Sequence, residues 1–230
     1  MEFDMKLALV LSGQLRSFEQ GYEYIKTNLL DYYDVDIFFH TWSKNWNNKV
    51  LILYNPKEAL VEDDAIFGDF KHYRIVSNSH PARNTILMYR SIKYADMLRQ
   101  NSGIKYDWVL RTRFDFALNK KINFQDLDPN KMYFCDTRSN VDRTTVHDQF
   151  VIATSNNMNI YSDVYDNIEK YHTEGCVING EDLLIYHLQK NNCLGKNKIE
   201  YVNLHPPFIN GAYNCGKHSL IRDDMEMWKK

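Results

Sequence analysis

The chain has 230 residues, with 28 lysines and arginines against 30 aspartates and glutamates, a formal net charge of −2. No basic cluster stands out, which argues against a nucleic-acid partner, because binding a phosphate backbone needs a cationic face. Apolar residues make up 44% and charged residues 25%, the balance of an ordinary folded domain, and no apolar run nears the roughly twenty residues of a membrane span.

No linker-like stretch interrupts the chain, so a single domain over residues 1–230 is expected. Cys135, Cys176, Cys193 and Cys215 lack the spacing of a zinc site and read as free thiols of a reducing compartment. Met1 to Leu11 is too short in its apolar part, and too acidic before it, for a signal peptide. A cytoplasmic location is therefore expected.

Lys6 to Leu11 is a continuous apolar run suited to a buried strand. Ser12-Gly13-Gln14-Leu15-Arg16-Ser17 follows as a turn, and Phe18 to Tyr33 has helical apolar spacing. A turn between a strand and a helix presents backbone N–H groups to an anion. Ser12, Gly13 and Arg16 are thus candidates for phosphate binding, against the plainer reading of a turn with Arg16 in solvent. The single glycine, with no Gly-Lys-Ser/Thr, removes support for a P-loop or a dinucleotide fingerprint.

Val35 to His40 predicts a second strand, with His40 a half-buried structural histidine at its end. Val50 to Tyr54 reads as a third strand, followed after Pro56 by a short helical piece at Lys57 to Leu60. Glu62-Asp63-Asp64 reads as a solvated face. A short strand is expected over Phe70 to Val76 and a helix over Asn84 to Arg99, N-capped by Asn84. Arg90 and Lys93 share a face of that helix and join the candidates for binding a phosphorylated ligand.

Tyr106 to Phe116 starts as a buried strand and ends in Arg111, Arg113 and Asp115. Residues two apart share a strand face, so these three point together if the strand runs that far. Charges at the carboxyl end of a strand sit where open α/β sheets bind ligands; a structural ion pair capping the strand is the alternative.

Strands are expected over Lys131 to Cys135 and Val146 to Thr154, the latter with Asp148 in its first half, and a helix over Asn157 to Tyr171 with Ser155 as cap. Asn179 or Gly180 opens a further helix to about Gln189, which places Glu181 and Asp182 in its first turn, either as ionised bases or as ordinary N-terminal acids. A last strand is expected over Ile199 to Leu204, before a loop carrying His205. Repeated strand–helix–strand order predicts an α/β fold with a mainly parallel, Rossmann-like central sheet flanked by helices.

The segments VLSGQLRSF, DIFFHTW, YDWVLRTRFDF, HDQFVIA and GEDLLIYHL, in that order, resemble small GT-A fold glycosyltransferase-like proteins of bacterial polysaccharide loci and large DNA viruses of algae. The resemblance runs from about Lys6 to about Asn214. It implies a nucleotide-sugar-binding half over about 1–116 and an acceptor-binding half over about 117–230. It also implies transfer from a nucleoside-diphosphate sugar, UDP being the commonest, to a glycan hydroxyl.

In that fold an Asp-x-Asp strand end binds Mn²⁺ or Mg²⁺ on the diphosphate, where the ion offsets charge on the leaving group. Asp115 matches the last aspartate of that motif, with His205 as a further ligand, but Arg113 stands at the partner position, and Arg111 or Arg113 could take over part of the ion's work. The helix-start Glu-Asp resembles the base of inverting members. Asp182 is the first choice for that role, Glu181 the second, and Asp148 the rival. A nucleotidyltransferase, or a catalytically silent nucleotide-sugar- or glycan-binding module, is the alternative.

Overall fold

The computed structural model describes residues 5–63, 70, 73, 82–135, 146–202 and 204. Alternation along the first strand sets the layers. In β1 (Leu7–Ser12), Ala8 and Val10 enter one core while Leu7, Leu9 and Leu11 enter another. A strand apolar on both faces needs cover on both. The first face is covered by α3 (Ala82–Asn101), α4 (Ser155–Ser162), α5 (Val164–Thr173) and α6 (Gly180–Lys190). The second is covered by α1 (Phe18–Ile25) and α2 (Lys49–Tyr54).

The other strands are β2 (Val35–Trp42), β3 (Glu58–Glu62), β4 (Trp108–Thr112), β5 (Met132–Cys135), β6 (Phe150–Ala153) and β7 (Ile199–Val202). They form one seven-stranded sheet in the order β3-β2-β1-β4-β6-β5-β7. β6 runs antiparallel to both of its neighbours, and every other pairing is parallel. The expected α/β architecture with a mostly parallel sheet between helices is the one observed.

Two consequences of this order position the site. The chain leaves β1 toward β2 on one side and returns through α3 to β4 on the other, so a crevice opens outside the carboxyl ends of β1 and β4. And because β6 is reversed, pairing Thr112 with Phe150, it is the start of β6 that reaches the same edge.

Several local expectations are corrected. Val50 to Tyr54 is the helix α2, not a strand: Val50 and Tyr54, four apart, are buried while Ile52 is 80% exposed. Burying a large apolar side chain is worth about 1.5–3 kcal/mol, more than the roughly 1 kcal/mol that separates residues in strand preference. Of Lys57 to Leu60, read as helical, Glu58 to Leu60 instead belong to the edge strand β3, whose Glu58 pairs with Phe38.

The single helix expected over Asn157 to Tyr171 is two, broken at Asp163. Around the break three successive side chains find partners on other elements: buried Tyr161 and Ser162 reach Arg111 and Asp96, and half-exposed Asp163 pairs with Lys93. Asn84 lies inside α3 rather than capping it. The strand expected over Phe70 to Val76 falls largely outside the described residues, as do Asp64, His205 and the terminal loop. Among the described residues no helix is long and apolar enough to cross a membrane.

Candidate functional site

The turn after β1 is held by its neighbours. Gly13 adopts φ 111°, a left-handed conformation that favours glycine. Its N–H reaches the Ser91 hydroxyl of α3 at 2.8 Å and the His40 carbonyl at 3.2 Å, while its carbonyl accepts from the Thr41 hydroxyl at 2.8 Å. Ser91 thus ties α3 to the ends of β1 and β2. Nothing in the local sequence marks it.

Behind it, His40 is fully buried, with Nδ1 2.8 Å from Ser91 Oγ and Nε2 2.9 Å from Glu62 Oε2. Burial pushes its pKa down to about 4 although Glu62 pulls the other way. The ring is therefore neutral. Glu62 can only accept, so Nε2 carries the proton and Nδ1 accepts from Ser91. The structural reading of His40 stands. Ser91→Ala is expected to cost about 1–3 kcal/mol in urea denaturation, because it removes the donor to a buried ring nitrogen and one of the two acceptors of the Gly13 N–H.

Glu62 is not the solvated acid the sequence suggests. It accepts from His40 and from both Arg90 Nε, at 3.0 Å, and Arg90 Nη2, at 2.8 Å. Burial raises its pKa, but these bonds outweigh it and leave the carboxyl below its ordinary range. Arg90 also touches Tyr165 and lies 4.2 Å over the Tyr94 ring. Lys93 pairs with Asp163 and, at 2.7 Å, with Asp166. Neither Arg90 nor Lys93 lines the cleft with the turn; both are paired with carboxylates on β3, at the start of α5 and just before it.

At the end of β4, Arg111 is buried on the α3 side of the sheet. Its Nε and Nη2 donate to Ser12 Oγ at 3.1 and 2.8 Å, and its Nη1 to the Asp148 carbonyl and, at 3.2 Å, to the Tyr161 hydroxyl. All of these partners are neutral. The guanidinium knits the ends of β1 and β4 to the start of β6.

β4 then stops at Thr112 and the chain turns, so Arg113 and Asp115 do not continue the strand face. They meet as a bidentate pair instead, Nε to Oδ1 and Nη2 to Oδ2, each at 2.7 Å. Asp115 is buried, while the Arg113 side chain keeps 28% exposure at the cleft. Burial disfavours the Arg113 cation, but the bond to Asp115 outweighs it and raises its pKa.

The cleft these elements enclose has a volume of about 340 Å³. Ser12, Gly13 and Arg16 line it from the turn, Arg83 and Met88 from α3, and Arg111, Arg113, Asp148 and Gly180 from the far side. Arg16 is exposed. Asp148 is partly buried, and its carboxylate accepts no hydrogen bond from any described residue. Burial raises its pKa, opposed by Arg111, Arg113 and His147 and reinforced by Glu181. Gly180 permits this placement: a Cβ there would run into Asp148 Oδ2 and press on Met88.

The other helix-start acids stand apart. Glu181 pairs with His147 Nδ1, which lowers the Glu181 pKa and raises that of His147. Asp182, the sequence's first choice of base, is exposed and accepts from the Asn179 amide at 2.9 Å. Both lie in the first turn of α6, as expected, but neither lines the cleft.

The implied metal fits poorly. Both oxygens of Asp115 are engaged by Arg113, Asp148 is the one carboxylate among the described lining residues, and no group of three or more His, Cys, Asp or Glu gathers among the described residues. His205 lies outside them. No family model matches the chain, and no curated protein matches its sequence.

Proposed function

We propose that the cleft binds the diphosphate of a nucleotide sugar, a UDP-sugar first, and that the chain transfers the sugar to a glycan hydroxyl. One observation carries this reading. Among the described residues, four arginines line a cleft outside the carboxyl ends of β1 and β4, together with one carboxylate, Asp148, that accepts no hydrogen bond. Arg16 and Arg111 have no carboxylate bonded to them among the described residues, so the cleft keeps positive charge in a chain whose net charge is −2. Low-dielectric walls concentrate such a field, and a ligand with two or more negative charges complements it.

Asp148 is the general base in this reading. An inverting transfer needs one carboxylate to take the acceptor proton as the hydroxyl oxygen attacks the anomeric carbon, on the face opposite the departing diphosphate. A carboxyl whose pKa is raised toward the working pH suits that task, and an unbonded one is free to accept the proton. Arg111, bonded to the Asp148 carbonyl, holds that stretch in place; Arg113 and Arg16 meet the leaving phosphate.

Incubation with a panel of UDP- and GDP-sugars and mixed glycan acceptors is expected to release nucleoside diphosphate as the acceptor gains mass. Nucleotide-sugar binding without release, by transfer or by hydrolysis, would instead identify a silent binding module.

A further inference from the structure

The charge balance of the cleft bears on how a diphosphate is held. A divalent cation on a phosphate needs hard oxygen ligands from the protein, commonly one or two carboxylates. Here the Asp115 carboxylate is closed by its two bonds to Arg113, and a cation beside Asp148 would share the space with four guanidiniums. The guanidiniums themselves are arranged for an anion. Arg113 spends Nε and Nη2 on Asp115, which fixes its plane, while its Nη1 has no bond to any described residue. Arg16 stands across the cleft on the turn, exposed and without an ion pair among the described residues. Arg111 hydrogen-bonds only neutral groups, so at the cleft floor no carboxylate is bonded to its guanidinium.

We infer that this cleft holds a diphosphate through guanidinium groups in place of a divalent cation, so that donor binding is independent of metal. The inference rests on the nucleotide-sugar reading for the identity of the donor, but not for the anion site itself. Asp115 then has a different role from the one its motif position implies: it is the positioning residue that orients Arg113. The fixed planar fork of arginine matches phosphate oxygens in a way a lysine ammonium does not.

Calorimetric titration of the full chain with UDP and with inorganic pyrophosphate, first in EDTA and then in MnCl₂, tests it. Both probes are expected to bind in EDTA, with affinity little changed by Mn²⁺. Arg16→Gln, at an exposed position whose loss leaves the fold intact, is expected to weaken both by roughly ten- to a hundredfold in EDTA, the worth of one charged hydrogen bond. Binding that requires Mn²⁺, or EDTA affinity that Arg16→Gln leaves unchanged, overturns the guanidinium site and spares the donor reading. Pyrophosphate binding in EDTA without uptake of UDP keeps the site and removes the nucleotide. Failure of both probes in both buffers removes both.

Discussion

Asp148→Asn is expected to lower sugar transfer by about 10²–10⁴-fold, the usual worth of a positioned general base. Donor affinity in the variant should be equal to that of the native chain or tighter, since the change removes the one negative charge among the described lining residues. A metal-ligating role would give the opposite result, a loss of binding, so the two measurements together separate base from ligand.

The same variant should also be more stable at neutral pH. Burial raises the Asp148 pKa above its unfolded value, so the native chain is relatively more stable when this group is protonated and loses that stability as pH rises through the folded pKa. Asparagine does not ionise. The melting temperatures of the two proteins should therefore converge below the unfolded value near 3.8 and separate as pH rises, with the variant higher. A variant less stable than the native chain at every pH would mean that the carboxylate is structural.

Removing Arg113 should destabilise more than removing its partner. In Arg113→Leu the Asp115 carboxylate stays buried without its cation, at a cost of about 3–5 kcal/mol for breaking a buried pair from that side. In Asp115→Asn the guanidinium, 28% exposed at the cleft, can turn to water, and the loss should be nearer the roughly 1.5–3 kcal/mol of a charged hydrogen bond. Urea denaturation of both single variants measures the difference. Equal losses would show that packing, not the stranded charge, sets the cost.

The elements read correctly from sequence are those whose apolar pattern is long or uninterrupted. β1, β2 and the start of β4 are continuous runs buried on both faces, and α3 and α6 repeat their apolar residues over several turns. Val50 to Tyr54 fails that test. Five apolar residues in a row satisfy either period, and the choice was made by what Val50 and Tyr54 could pack against on the sheet.

The site divides in the same way. Ser12, Gly13, Arg16, Arg111 and Arg113 were legible because a polar cluster at a strand end is a local signal, and all five line the cleft. The reversal of β6 has no local signal. Without it Asp148 ranked below Asp182, which local motif logic favours and tertiary structure leaves in solvent. The pairing of Arg90 and Lys93 is illegible for a related reason: their carboxylate partners come from β3, from α5 and from just before α5, remote in sequence.

The chain of bonds from Glu62 through His40 and Ser91 to Gly13 acts as a buffer of shape. Its only group that titrates near neutrality in free solution has been moved to about 4, so the network behind the turn after β1 keeps one protonation state across the whole physiological range. A pH response above that value has its sources elsewhere, among them Asp148 in the cleft and the His147–Glu181 pair outside its lining.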